Sequence, residues 1–254
     1  MLARPVLRRP LPRRLPRPLA ATVAALVAVP GLALLSMAPA HAALNSPPAG
    51  STQSGVVSVR EANGASNNCV AGQGSPYTRF QVTRADGTVV GSDQQSGTGA
   101  KTYAWSSVGQ PRGAYVARSW TRSAEKSGFL NLGCSNRSEV AQPTVSFTVD
   151  NHAAVALSLP ATTVTGEDLT VGVQTSIVGS GVTGQPLGGR EVTLTLPGVE
   201  DVEPVVVATD GTGAGTATID LPDLVTGELT VAAEVTTDDL YTGDATTATT
   251  QLTA

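Results

Sequence analysis

The sequence predicts an all-β chain, two tandem β-sandwiches behind a cleaved N-terminal export signal, and three observations lead there. Apolar and polar residues alternate in short runs from residue 56 onward. Turn residues bound those runs, and beyond the opening segment no window keeps the 3.6-residue apolar period of a helix. The opening segment itself runs from a basic, acid-free Met1 to Arg17, through the apolar Leu19 to Leu35, to the small-residue site Ala40-His41-Ala42. That order marks residues 1–42 as a signal peptide cut between Ala42 and Ala43, leaving 212 residues for two modules of roughly 100 each.

Pro30 and Gly31 interrupt the apolar run, which suits a cleaved signal better than a spanning helix. Arg8-Arg9 and Arg13-Arg14 admit a twin-arginine route beside the general one, although the flanking prolines depart from the twin-arginine pattern. No cysteine lies near the cleavage site, and Thr253-Ala254 follows neither an apolar nor a basic tail. The expected localisation is secreted and extracellular, with no stable membrane anchor.

In residues 43–150, strands are expected at Val56 to Arg60, Arg79 to Thr83, Thr88 to Val90, Lys101 to Ser106, Ala114 to Arg122 and Thr144 to Val149. Ala85-Asp86-Gly87 makes the second and third a hairpin, because glycine takes the positive φ of a tight turn. Asn63 to Pro76 and Ser123 to Ser138 read as long polar loops. After Asp150-Asn151-His152 the composition turns to Thr, Val, Ala, Leu and acids, with Tyr241 the sole aromatic, so a second module is expected over 151–254. Val192, Leu194 and Leu196 alternate with polar residues, as do Leu229, Val231, Ala233 and Val235; each set marks one buried face. Asp210-Gly211-Thr212-Gly213 supplies a turn before Ala217, Ile219 and Leu221.

These residues resemble bacterial immunoglobulin-like domains of secreted and surface proteins. Ser46-Pro47-Pro48-Ala49-Gly50 with Ser54 to Val59 looks like their opening strands, Gly113-Ala114-Tyr115-Val116-Ala117 like their penultimate strand with its corner tyrosine, and Thr144 to Asn151 like their closing strand. Pro186 to Leu194, Thr209 to Ala217 and Tyr241 to Asp244 are similar to repeats used as stalks in bacterial adhesins. The resemblance covers most of the chain after the signal and implies architecture and an extracellular binding, adhesion or spacer role far more than an activity.

Two cysteines in an exported chain point to one disulfide, Cys69 to Cys134, with a free reactive thiol as the other reading. On the immunoglobulin-like layout the bridge would staple a loop after the second strand to one between the last two.

Charge separates the parts. The formal net charge of −4 divides into +6 on the signal, +3 on residues 43–150 and −13 on residues 151–254. Nucleic acid is excluded as a partner, since phosphate contacts need clustered cations and the acidic half would be repelled. Catalysis has little to draw on. His152 is the one histidine after the signal, and it is expected in the connection between the modules with no nucleophile elbow nearby. Gly179-Ser180-Gly181-Val182-Thr183-Gly184 spells a dinucleotide fingerprint without the helix that fingerprint needs. Asp238-Asp239, Asp244, Glu200-Asp201 and Glu203 lack the spacing of a calcium loop, so the acids read as solvated surface and no metal or cofactor is expected.

One constellation remains. If Tyr115, Ala117 and Ser119 point inward, Arg118, Trp120 and Arg122 share the outer face of one strand. Two guanidinium groups beside an indole form a candidate ligand surface; the alternative is cross-strand packing alone. Tyr103 and Trp105 are expected in the core. The reading is a non-enzymatic binding protein whose partner is an extracellular protein or a cell-envelope glycan. A carbohydrate-binding accessory protein, and a hydrolase with a carboxylate site, are the rival functions.

Overall fold

The computed structural model describes residues 44–70, 73–222 and 226–254; the expected signal over 1–42 and the expected Ala42–Ala43 cleavage site lie outside them. The described residues fold as β-strands joined by turns, with a single 3-10 turn at Phe129–Asn131. The first set comprises β1 (Leu44–Ser46), β2 (Thr52–Gln53), β3 (Val56–Ala65), β4 (Tyr77–Arg84), β5 (Val89–Ser96), β6 (Gly99–Ser106), β7 (Gly113–Arg122), β8 (Ala124–Ser127), β9 (Gly133–Asn136), β10 (Val140–Ala141) and β11 (Val145–Val149). The second comprises β12 (Asn151–Ser158), β13 (Thr162–Val164), β14 (Asp168–Val178), β15 (Glu191–Thr195), β16 (Val205–Ala208), β17 (Ala214–Asp220), β18 (Gly227–Val235), β19 (Tyr241–Gly243) and β20 (Ala245–Thr253).

Sheet order is β1-β3-β6 and β2-β11-β7-β4-β5 in the first set, β10 adding to β7; it is β17-β14-β12-β19 and β13-β20-β18-β15-β16 in the second. The chain changes sheet between β3 and β4, returns between β5 and β6, and crosses again into β7. It does the same at β14 to β15, β16 to β17 and β17 to β18. Such crossings define an immunoglobulin-like sandwich, so the all-β fold class expected from alternation is the fold observed.

Local chemistry explains the pieces. The β4–β5 hairpin turns through Gly87 at φ 85°, and the Asp86 carboxylate accepts the Thr88 N–H at 2.8 Å, which holds its pKa below the usual range. The first sheet pair closes over Val57, Val59, Phe80, Val82, Trp105, Tyr115 and Phe147. Trp105 lies 5.4 Å from Tyr115, which is 5.9 Å from Phe147, ring centre to ring centre. Tyr115 donates its hydroxyl to the Pro111 carbonyl at 2.6 Å, the corner that the resemblance implies. Trp105 is buried as expected, whereas Tyr103 is half-buried against Phe80. One carboxylate, Glu61, is fully enclosed and takes the Ser119 hydroxyl at 2.8 Å.

The second core is aliphatic. Every apolar position singled out from alternation, from Val192 to Val235, is buried there with Tyr241 at its edge.

No linker separates the two sets of strands: Asp150 alone stands between β11 and β12, and His152, expected in a connection, is a residue of β12. Asn151 carries the seam. Its side chain is fully buried; Oδ1 accepts Ser107 Oγ at 2.7 Å and Gly55 N–H at 3.2 Å, while Nδ2 donates to the Ser107 carbonyl at 2.8 Å. The Val56 N–H donates to the Ser180 carbonyl and the Ser180 N–H to the Ser54 carbonyl. Gly55 is required at this crossing, because at φ 76° an added Cβ would stand 2.5 Å from the Ser180 carbonyl oxygen.

Candidate binding face

Strand β7 alternates as expected. Tyr115, Ala117, Ser119 and Thr121 are buried, which sends Val116, Arg118, Trp120 and Arg122 to the outer face. Register with β4 then decides what stands beside them: Tyr77 is opposite Arg122, Arg79 opposite Trp120, and Gln81 opposite Arg118. The Arg79 guanidinium carbon sits 4.1 Å from the centre of the Trp120 ring, and that of Arg122 sits 5.4 Å from the Tyr77 ring. Each stack contributes about 0.5–1 kcal/mol at such exposed positions.

Glu139, just before β10, closes one side of this ladder. It receives Arg79 through Nε at 3.1 Å and Nη2 at 2.7 Å, and the Tyr77 hydroxyl at 2.7 Å. The Arg79 hydrogen bond, helped by Tyr77, lowers the Glu139 pKa, and the same bond raises that of Arg79. Arg118 is exposed and has no hydrogen-bond or ion-pair partner among the described residues. The structure thus brings the three expected residues to one face and adds Tyr77, Arg79 and Glu139, none of which sequence reasoning singled out. Parity could have offered Tyr77 and Arg79; nothing local marks Glu139.

Cys69 and Cys134 are joined, 5.6 Å apart between Cα atoms. The bridge does not tie two loops: Cys134 lies on β9, paired with β8 in a separate two-stranded sheet. The segment expected as a polar loop therefore contains a hairpin, and its tip carries Leu130 and Leu132 at 71% and 73% exposure. Leu130 and Asn131 both adopt left-handed backbone there, unusual for residues with a side chain. The base of the hairpin is packed. The Ser75 N–H donates to Asn136 Oδ1 at 2.8 Å, and a Cβ on Gly74 would approach that of Ala124 to 2.5 Å. Between this base and the β4–β7 ladder lies an open depression lined by Asn67, Ser75, Tyr77, Gln94, Ser96 and Arg122.

Elsewhere several charged groups pair with one another. His152 Nδ1 is 3.0 Å from Asp244, and its Nε2 is 3.6 Å from Asp150, which also faces Arg112 at 3.4 Å. Asp238 pairs with Arg190; burial raises its pKa, but the Tyr241 and Leu240 N–H groups and Arg190 outweigh this and lower it. Gly179–Gly184 is a turn that meets Ser54 and Gly55 across the seam. Asp201 and Glu203 line a shallow depression with Asp220, and no group of three metal-ligating side chains converges among the described residues.

No protein-family model matches the chain, and no curated protein matches it. Among solved structures, a red sea bream transglutaminase is 12% identical over 84% of this chain and 31% of its own, with a TM-score of 0.33. The BSP domain of a biofilm-associated protein is 16% identical over 83% of this chain and 29% of its own, TM-score 0.23. Chicken CNTN1 FN1–FN3 domains are 10% identical over 84% and 64%, TM-score 0.24. The chain spans less than a third of the first two, and at these scores none of the three assigns an activity.

Proposed function

We propose that this chain is exported, works outside the cell as a non-enzymatic immunoglobulin-like binding module, and makes its contacts through the outer face of β4 and β7. The observation that carries this reading is the ladder of Tyr77, Arg79, Arg118, Trp120 and Arg122 on one sheet face, beside a depression braced by the Cys69–Cys134 bridge. Rigid scaffolds commonly present recognition groups in this way. The bridge also fits an oxidising compartment. The second, acidic half acts as a spacer, its outward positions given to Thr and acids.

Binding of the purified chain to cell-envelope preparations tests the reading. Arg118→Ala and Trp120→Ala are expected to reduce capture several-fold; capture indifferent to both would remove this face from the function. A hydrolytic role would be recovered by turnover of peptidoglycan, polysaccharide or ester substrates above background, and none is expected.

A further inference from the structure

Resting on the reading of the β4–β7 face as the contact surface, we infer that its ligand is an anionic polysaccharide, held through its acidic groups by Arg118 and Arg122. A neutral sugar stacked on Trp120 is the arrangement the geometry disfavours. One face of that indole is covered by the Arg79 guanidinium at 4.1 Å, and the Arg79 charge is answered by Glu139. Neither Arg118 nor Arg122 has a direct ion-pair partner among the described residues; Glu139 also feels the charge of Arg122, whereas that of Arg118 is unanswered. Three guanidinium groups against one carboxylate leave the face with a net charge that only an acidic ligand matches. Stacking Arg122 on Tyr77 also orients a planar fork suited to carboxylate before anything binds, which reduces the ordering cost.

Spacing argues for a polymer. Arg118 and Arg122 are four residues apart on one strand, about 13 Å. The Trp120 ring with Arg79 stacked on it stands between the two, so separate acids along one chain suit them better than a single carboxylate. Next to Arg122, the depression offers the Asn67 and Gln94 amides and the Ser75 and Ser96 hydroxyls, groups that pair with sugar hydroxyls. The acidic half of the chain does not cancel the attraction. Arg118 and Arg122 stand about 17 and 30 Å along β7 from its start at the seam, well beyond a screening length of about 8 Å at physiological salt.

The test immobilises polygalacturonate and, separately, neutral dextran, and measures binding of the purified chain by interferometry. Polygalacturonate is expected to bind and dextran not to. Arg118→Ala and Arg122→Ala should each weaken binding about tenfold, Arg118→Lys less, and raising NaCl from about 50 to 300 mM should weaken it at least as much. Arg118 is exposed, so its variants keep the fold, which near-ultraviolet circular dichroism verifies. Equal binding to dextran, or polygalacturonate binding unchanged in the double alanine variant, overturns the inference. Failure on both polymers while envelope capture still depends on Arg118 and Trp120 also overturns it, yet leaves the face as a contact surface for a protein. Failure together with indifferent capture removes both.

Discussion

The two sheet pairs share one strand connectivity and are held together by different chemistry. The first packs Phe80, Trp105, Tyr115 and Phe147 between its sheets and adds a disulfide; the second packs Val, Leu and Ile with a single tyrosine at its edge and has no cysteine. Bulky rings fill an interior with few contacts per strand, whereas aliphatic residues need regular, uninterrupted alternation to do so. The first half can therefore tolerate interruptions: the β8–β9 hairpin and the loop ending at Pro76, which flank its candidate face, and the buried Glu61. The second half spends its regularity on the core and shows mostly Thr and carboxylates to solvent.

Breaking the disulfide should give the largest difference between them. Closing a segment of 65 residues contributes about 4 kcal/mol in the chain-entropy account. Trp105 and Trp120 both belong to the first half, so tryptophan fluorescence reports it alone while far-ultraviolet circular dichroism reports both. Reduction, or paired Cys69→Ser and Cys134→Ser, is expected to lower the denaturation midpoint by fluorescence far more than the remaining dichroism transition; equal shifts would show the two halves to be energetically inseparable.

Asn151→Ala attacks that inseparability directly. It strips partners from Ser107 and from the Gly55 N–H inside the seam, a loss of about 2–3 kcal/mol. The fluorescence and dichroism midpoints should move apart in this variant, and midpoints that stay together would place the coupling elsewhere.

The smallest effect concerns pH. The Glu139 pKa is lowered on folding, chiefly by Arg79, so its stabilisation is complete above the ordinary carboxylate value of about 4.3 and fades as pH falls through the lowered one. At most ~1 kcal/mol is expected from so exposed a pair. Titrating from pH 5 to 3 should lower the fluorescence midpoint of the parent more than that of Glu139→Gln; parallel curves would deny the pair any role in stability.

What could be read in the sequence follows from the range of each interaction. Alternation is local, so the buried face of β18 and the outer face of β7 were legible residue by residue. The stack of Arg79 on Trp120 was not, because it depends on which residues of β4 and β7 stand opposite, a matter of register set by the whole sheet. Ser123 to Ser138 reads as loop because Ala124, Glu125, Lys126 and Ser127 show no apolar alternation; the hairpin there is pinned by the bridge and by Glu125 with Arg137. Asp150-Asn151-His152 reads as a polar connection because composition does not show that the Asn151 amide is enclosed by three partners.

Asp150, standing alone between β11 and β12, leaves the chain no slack at its middle. Tension applied along the backbone at this point would find nothing to uncoil; it would have to shear the Asn151 amide from Ser107 and Gly55, and the Ser180 backbone from Ser54 and Val56, all at once. Those bonds resist together any opening of the joint.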